Sequence, residues 1–336
     1  MTQTETPDRH SNKDIDPPRF INLCITARCN LFCAMCRSAE LNVQEPAPQA
    51  VLDFLDRLSA WLPRPQAVHL TGGEPLLHSH IVEFTERLSG HGFTASLNTN
   101  GSLLTVDVLH RLVDAGLRIV NFSVDALGEN HDRLRNGPGL FQGVMDIIQY
   151  ASAHTDLLIN VISVIHAQSA GDLPELVRML AGNPRLNGVR FQAVIPTLAK
   201  PWSEEFFTQS PLWPQDDRSR ELVQSTLASL MEMKREGLPI HTSLQQFELW
   251  KRYFRDPFNF FGHEPCPVGH LTLMVLPDGS VTLCDHCGIL GTIDDDPQVL
   301  WSSEKADAMR REMSGCTRAC VHRVNCFFLD DNKDQL

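Results

Sequence analysis

The stretch Cys29-Asn-Leu-Phe-Cys33-Ala-Met-Cys36 places three thiols within eight residues. This spacing does not fit the alternation of a regular strand, but on a loop the three side chains can converge on one small inorganic group. Thiolates select soft metals and iron–sulfur clusters. The stretch therefore predicts a metal centre held by a loop near the start of the chain.

The same loop leaves one coordination position open. A common zinc site would take a fourth Cys or His close by, and the loop between Cys29 and Cys36 offers none. Three thiolates can hold three irons of a 4Fe–4S cluster and leave the fourth iron without a protein ligand. An open position is typical of a reactive metal centre and is not needed in a structural one.

Strand-like runs lead into this loop and into a second motif. Residues 20–26 precede the cysteines, and residues 67–70 precede Thr71-Gly72-Gly73-Glu74-Pro75. Ligands of parallel α/β proteins gather at the carboxyl ends of the strands. Both motifs are therefore expected at one edge of a parallel sheet.

Strand-like and amphipathic helical runs alternate from residue 20 to about residue 195. Six β/α repeats of this kind predict a parallel sheet with helices on its outer side, curled by right-handed crossovers into a barrel or partial barrel. The predicted strands are residues 20–26, 67–71, 93–99, 118–124, 157–165 and 188–195. The predicted helices lie near residues 51–62, 79–90, 105–115, 140–154 and 172–181.

The cysteine loop, its preceding strand and the Thr71–Pro75 motif resemble those of the radical S-adenosylmethionine (SAM) superfamily. The resemblance implies a partial (β/α)6 barrel, a 4Fe–4S cluster on Cys29, Cys33 and Cys36, and SAM at its open iron. It also implies reductive cleavage of SAM to methionine and a 5′-deoxyadenosyl radical, which abstracts hydrogen from a substrate. The chain departs from the family pattern at Met35, where an aromatic residue near the adenine is usual.

Polar loops after the predicted strands are candidate SAM contacts. In the family, similar positions hold the ribose hydroxyls and the methionine carboxylate; here they are Asn98, Asn100, Ser123, Asp125 and, in the next loop, Arg135. Arginine suits a carboxylate because its fork donates two parallel hydrogen bonds. Local roles remain open, since Asn-Gly also makes turns and Ser also ends strands.

The Gly72-Gly73-Glu74-Pro75 motif has two interpretations. Two glycines let the backbone approach a ligand without an intervening Cβ, so that a methionine amino group could meet backbone carbonyls and the Glu74 carboxylate. Alternatively, the glycines form a tight turn and Glu74 is a cap or a surface charge. The cysteine loop upstream favours SAM binding.

Six of the ten cysteines lie in the last quarter of the sequence. They flank a predicted β-hairpin over residues 271–284 with an Asp278-Gly279 turn, and a predicted helix near residues 297–313. The order Cys266, Gly279, Cys284 and a later cysteine group resembles the SPASM or twitch extension of radical SAM enzymes. The ligand candidates for its auxiliary iron–sulfur chemistry are Cys266, Cys284, Cys316, Cys320 and Cys326.

One auxiliary 4Fe–4S cluster is expected, because Asp330 stands where the two-cluster pattern has a further cysteine. Cys287 is a less favoured ligand candidate. A structural zinc site is the alternative, and it would fit a non-catalytic zinc or iron–sulfur protein for binding or redox sensing. Cys24 is most simply a small buried hydrophobe.

Composition limits the remaining classes. The 336 residues carry a net charge of −12, which disfavours a nucleic-acid partner. No apolar run long enough for a membrane span occurs, and the polar residues 1–19 read as a disordered tail. The sequence therefore predicts a cytoplasmic protein with a barrel core over 20–200, a loop and helical linker over 201–260 and an auxiliary-cluster domain over 261–336.

The substrate and the electron donor are also matters of expectation. Only about 19 residues precede the first strand, too few for a peptide-binding domain, which favours small-molecule tailoring in a biosynthetic pathway. Modification of a peptide or protein side chain is the alternative. Asp125 and His166 are candidate acid–base or substrate contacts. Reduced flavodoxin or ferredoxin is the expected donor, with Arg310, Arg311, Arg318 and Arg323 as its candidate docking residues.

Overall fold

The computed structural model describes residues 15–36, 38–196, 203–260, 266–284 and 286–325. In this part of the chain, six parallel strands form the core of the sheet. They are β1 (Phe20–Thr26), β2 (Ala67–Gly72), β3 (Thr94–Thr99), β4 (Leu117–Ser123), β5 (Leu158–Ile165) and β6 (Leu186–Ala193). Each lies within two residues of its predicted position, because buried β-branched and apolar runs bounded by polar turns are distinctive in the sequence.

Helices connect these strands. They are α1 (Pro48–Trp61), α2 (Ile81–Gly90), α3 (Val106–Asp114), α4 (Gly128–Arg135), α5 (Leu140–His154) and α6 (Leu173–Ala181). The sequence predicted all of them except α4, which it treated as a loop. Helix α4 is largely polar and lacks an apolar stripe, so its helical form depends on the tertiary contacts of His131, Leu134 and Arg135, which are buried.

The following segment contains α7 (Phe206–Gln209), α8 (Asp217–Arg235) and α9 (Leu244–Tyr253). Phe207 and Trp213 are each 5% exposed, and their rings pack edge-to-face against Tyr253. They pin this segment to the core, as expected for aromatic residues in a long connection.

The C-terminal segment contains β7 (Thr272–Val275), β8 (Ser280–Thr282), β9 (Gly291–Thr292), α10 (Pro297–Trp301), α11 (Glu304–Ser314) and α12 (Val321–Asn325). The predicted hairpin is confirmed by the antiparallel pairing of β7 and β8. The helix expected near 297–313 is divided in two, because the Ser303 hydroxyl accepts the Ala306 N–H and starts a new helix.

The described strands form one sheet in the order β6-β5-β4-β3-β2-β1-β7-β8-β9. Strand β7 runs parallel to β1, with Phe20 opposite Thr272, so the C-terminal hairpin extends the core sheet. The sheet does not close on itself, which confirms the predicted α/β partial barrel. Among the described helices, none combines the length and the apolar character required to cross a bilayer.

Candidate functional site

The cysteine loop follows the carboxyl end of β1 and rests on the end of α4. Cys29 and Cys33 are half-buried and Cys36 is exposed. The Ala34 N–H donates to the Leu134 carbonyl at 2.8 Å, and the Cys33 thiol lies 3.8 Å from the Arg135 carbonyl. The C-terminal turn of α4 therefore holds the loop between its second and third cysteines.

The three thiols interact with one another. Burial raises the pKa of the Cys29 thiol and raises that of Cys33 to about 11, and the neighbouring thiols add to both shifts. The Leu31 N–H donates to the Cys29 sulfur and opposes the rise of that pKa. The Ser38 N–H donates to the Cys36 sulfur at 3.5 Å. Among the described residues, no three Cys, His, Asp or Glu side chains are gathered closely enough to hold a single metal ion.

Gly72 and Gly73 bring the end of β2 against this loop. A Cβ on Gly72 would come 2.2 Å from the Thr26 carbonyl oxygen, and one on Gly73 would come 2.2 Å from that of Arg28. The Gly73 N–H donates to Thr26 at 2.8 Å, within the same approach. The close contact that these glycines permit is therefore made by the cysteine loop itself.

Glu74 is completely buried and acts as a cap. Its carboxylate accepts hydrogen bonds from the Leu76 N–H at 3.1 Å, the Thr99 hydroxyl at 2.8 Å and the Asn100 N–H at 2.7 Å. The three hydrogen bonds lower the pKa of this carboxyl, but burial has the larger effect and raises it. Glu74 thus joins the Pro75–Leu77 turn to the end of β3, the local role that the sequence left open.

Three other predicted contacts lie at neighbouring strand ends. The Asn100 amide donates to Asn30 at 3.1 Å and lies 4.0 Å from the Cys29 sulfur. Asn98 accepts a hydrogen bond from Asn121 at 2.7 Å. Ser123 is half-buried at the end of β4. The structure therefore brings the asparagines and Ser123 to the strand edge that carries the cysteine loop.

Asp125 and Arg135 form a buried ion pair. The Arg135 Nε donates to Asp125 Oδ2 at 2.7 Å, and the Val164 N–H donates to Oδ1 at 2.7 Å. Burial alone would raise the pKa of Asp125, but Arg135 and the Val164 N–H outweigh it and hold that pKa below its usual value. Burial raises the pKa of the Cys33 thiol, and the charge of the same guanidinium acts to lower it. The pair thus connects the ends of β4 and β5 to the cysteine loop.

Two buried histidines flank this carboxylate, and only His166 drew attention in the sequence. The Asp125 N–H donates to His131 Nδ1 at 3.2 Å, and the Gln168 N–H donates to His166 Nδ1 at 3.1 Å. In each ring, Nδ1 is an acceptor, so Nε2 carries the proton. Neither Nε2 has a hydrogen-bond partner in the described part of the chain. Burial lowers both pKa values to about 4, so both rings are neutral near pH 7.

A row of polar side chains crosses one face of the sheet. The amide of Asn187 on β6 donates to Asn160 on β5 at 2.9 Å, and Asn160 donates to Asn121 on β4 at 2.9 Å. Asn121 donates to Ser96 on β3 at 2.9 Å, and Ser96 bonds His69 Nδ1 on β2 at 3.0 Å. This row was not predicted from the sequence, since single polar residues within strands are common and their partners lie on other strands.

His69, at one end of this row, is influenced by a charge on the strand that carries the other end. Burial lowers the pKa of His69 to about 4, and the guanidinium of Arg190 on β6 lowers it further. Three strands separate β6 from β2 in the described sheet, so the sheet must curl to bring Arg190 within electrostatic reach of His69. The polar face is therefore the inner face of the partial barrel.

A second group of thiols lies in the C-terminal segment. Cys266, Cys284 and Cys320 are buried, and Cys287 and Cys316 are half-buried. Burial raises the pKa of Cys266 and raises that of Cys320 to about 11, and in both cases the Cys284 and Cys316 thiols add to the shift. These side chains are thus neighbours, as predicted, whereas Cys326 lies outside the described residues.

The arginines expected on a donor-docking surface are divided between the surface and the interior. Arg310 is 5% exposed, with its guanidinium bonded to the Gly269 and Trp301 carbonyls, and Arg323 is 3% exposed. Arg310 and Arg323 therefore cannot form a docking surface, and the prediction was wrong for them. The number of arginines in a segment does not show which of them face the interior. Arg311 and Arg318 are exposed.

Comparisons with known proteins agree with this geometry. The family model described as the radical SAM superfamily matches residues 23–180. The AdoMet-dependent heme synthase of Methanosarcina barkeri is 35% identical over 130 residues, which is 37% of this chain and 36% of that protein. A GTP 3′,8-cyclase of Nitrobacter hamburgensis is 35% identical over 163 residues, 45% of this chain and 47% of that protein. The chain spans about half or less of the length of these curated relatives.

A solved structure shares the fold over most of the chain. Native anSMEcpe with bound AdoMet has a TM-score of 0.65 at 18% identity, covering 88% of this chain and 84% of that one. At this identity, the likeness concerns the fold. The family match over residues 23–180 identifies that part of the chain as a radical SAM domain.

Proposed function

We propose that this protein is a radical SAM enzyme that acts on a small molecule in a biosynthetic pathway. The observation that carries the proposal is the three-thiol loop at the carboxyl end of β1, inside a radical SAM domain. A bound 4Fe–4S cluster would supply the electron that cleaves SAM to a 5′-deoxyadenosyl radical, the species that abstracts hydrogen.

The residues present fit such a cluster. Cys29, Cys33 and Cys36 would ligate it, and the N–H groups of Leu31 and Ser38 already donate to two of these sulfurs, which stabilises thiolates. Its fourth corner would take SAM, with Asn98, Asn100 and Ser123 near its hydroxyls and the Gly72–Pro75 backbone near its amino group.

Arg135 would receive the methionine carboxylate of SAM. Its Nε is used by Asp125, and no other hydrogen bond joins the guanidinium to the described residues. The terminal Nη groups are therefore available for a bidentate contact. Asp125 is completely buried, so its role in this proposal is to hold Arg135 in place.

The inner face of the barrel supports a small substrate. Its row of amide, hydroxyl and imidazole groups offers neutral hydrogen-bonding partners. The names of the curated relatives refer to GTP and heme, which are also small molecules.

An auxiliary 4Fe–4S cluster in the C-terminal segment completes the proposal. Its ligands would come from Cys266, Cys284, Cys316, Cys320 and Cys326. Reduced flavodoxin or ferredoxin would deliver electrons, and the exposed Arg311 and Arg318 remain candidate contacts for such an acidic partner.

Anaerobic reconstitution tests the central claim. After reduction and addition of SAM, liquid chromatography should detect 5′-deoxyadenosine from the wild-type protein and none from the Cys29→Ala/Cys33→Ala/Cys36→Ala variant. Equal amounts from both proteins would reject the radical reaction.

A further inference from the structure

Cys284 and Cys287 lie together directly after β8. The Cys287 N–H donates to the Cys284 carbonyl at 3.2 Å, and the His286 N–H donates to the Cys284 sulfur at 3.4 Å. The Cys284 and Cys287 thiols are also hydrogen-bonded to each other. The two sulfurs therefore point to the same side of a tight chain reversal.

The hydrogen bond from the His286 N–H to the Cys284 sulfur has counterparts at other candidate ligands. The residue two positions after the cysteine donates to its sulfur at Cys29 and Cys36, and likewise at Cys266 and Cys320. Such bonds stabilise a thiolate that ligates a metal. Cys284 thus has the same local hydrogen bond as the N-terminal ligands Cys29 and Cys36. The Cys287 thiol lies beside it.

The two thiols also face the later cysteines. The Cys316 thiol acts on Cys287 as well as on Cys266 and Cys320. Two cysteines three residues apart, with sulfurs that contact each other, have a common spacing for ligands of one metal centre.

We propose that Cys287 is a ligand of the C-terminal iron–sulfur cluster, paired with Cys284. The remaining two ligands then come from the other candidate cysteines of this segment. This inference rests on the proposed function, because that function supplies the auxiliary cluster.

The test removes the N-terminal cluster first. In the full-length Cys29→Ala/Cys33→Ala/Cys36→Ala background, reconstituted anaerobically, about four irons per chain should remain. Adding Cys287→Ala should reduce the iron content at least twofold. Adding Cys287→Ser should keep more iron but shift the electron paramagnetic resonance signal, since an oxygen replaces a sulfur. Cys24→Ala, which removes a thiol on β1, is the matched control and should change neither measurement.

Several results would overturn the inference. Full iron content with an unchanged spectrum in both Cys287 variants would do so, as would one zinc and no iron in the background protein. Circular dichroism and the melting temperature of Cys287→Ser show whether an iron loss is due to unfolding. Failure to form 5′-deoxyadenosine in a wild-type protein whose C-terminal iron still depends on Cys287 would reject the proposed enzyme and leave this ligand assignment standing.

Discussion

Individual side chains near the cysteine loop have partners that the sequence does not reveal. Glu74 and Asp125 were predicted from strand-end positions, and both lie at those ends. Most of their hydrogen-bond donors come from the ends of β3, β5 and α4, which lie 10 to 39 residues away in the sequence. The sequence therefore predicted the position of these residues at strand ends. That they connect neighbouring elements through buried hydrogen bonds could be found only from the structure.

Replacement of Asp125 by Asn tests its role as a strut. The change leaves Arg135 charged and buried, which costs about 3–5 kcal/mol of unfolding free energy. By displacing Arg135, it should also weaken SAM binding about 10- to 100-fold, the usual effect of losing a supporting partner. Urea unfolding and a SAM titration of the reduced cluster measure the two quantities.

Glu175→Gln is the control for Asp125→Asn. It removes the exposed pair between Glu175 and Arg178, which is worth at most about 1 kcal/mol. Unchanged stability and SAM affinity in Asp125→Asn would show that Arg135 is positioned by other contacts.

At the scale of elements, the strands were predictable and α4 was not. Runs of buried apolar residues identify β1 to β6, while α4 is polar and is held by its buried tertiary contacts. Its C-cap, Asn136, has φ 52°, in the left-handed region, and the helix ends there against the cysteine loop. The helix that the sequence missed is thus the one that supports the predicted metal loop.

Asn136→Val should loosen this support. A β-branched residue disfavours the left-handed region by about 1–2 kcal/mol, so the end of α4 should fray and release the Ala34 N–H. Reduced thermal stability and faster iron loss to a chelator are the expected measurements. Asn136→Gly, which tolerates this conformation, should resemble the wild type, and equal iron retention in the valine variant would contradict the idea.

At the scale of the whole molecule, buried and half-buried histidines predict sensitivity to acid. His69, His131 and His166 have pKa values near 4 in the fold, while an unfolded histidine titrates near its usual value of 6.5. Between these values the unfolded chain binds more protons, so stability falls as pH decreases. Each histidine adds a slope of up to about 1.4 kcal/mol per pH unit. Glu74, whose pKa is raised, acts in the opposite direction.

The variant His166→Asn isolates one of these contributions. The Asn oxygen can replace Nδ1 as acceptor for the Gln168 N–H, and the variant does not titrate in this range. The slope of unfolding free energy between pH 4.5 and 6.5, an interval chosen from the usual histidine range, should therefore be shallower. Identical slopes would show that His166 becomes protonated in the folded protein.

The pairing of β7 with β1 has a consequence for synthesis. A ribosome releases residues 20–26 first, and their outer neighbour at residues 272–275 emerges only after all the intervening strands and helices have been made. Until then, the outer edge of the first strand has unpaired N–H and C=O groups. Such an edge can pair with strands of other nascent chains. Slow translation should therefore promote aggregation through the amino-terminal strand, and a chaperone that shields it should raise the yield.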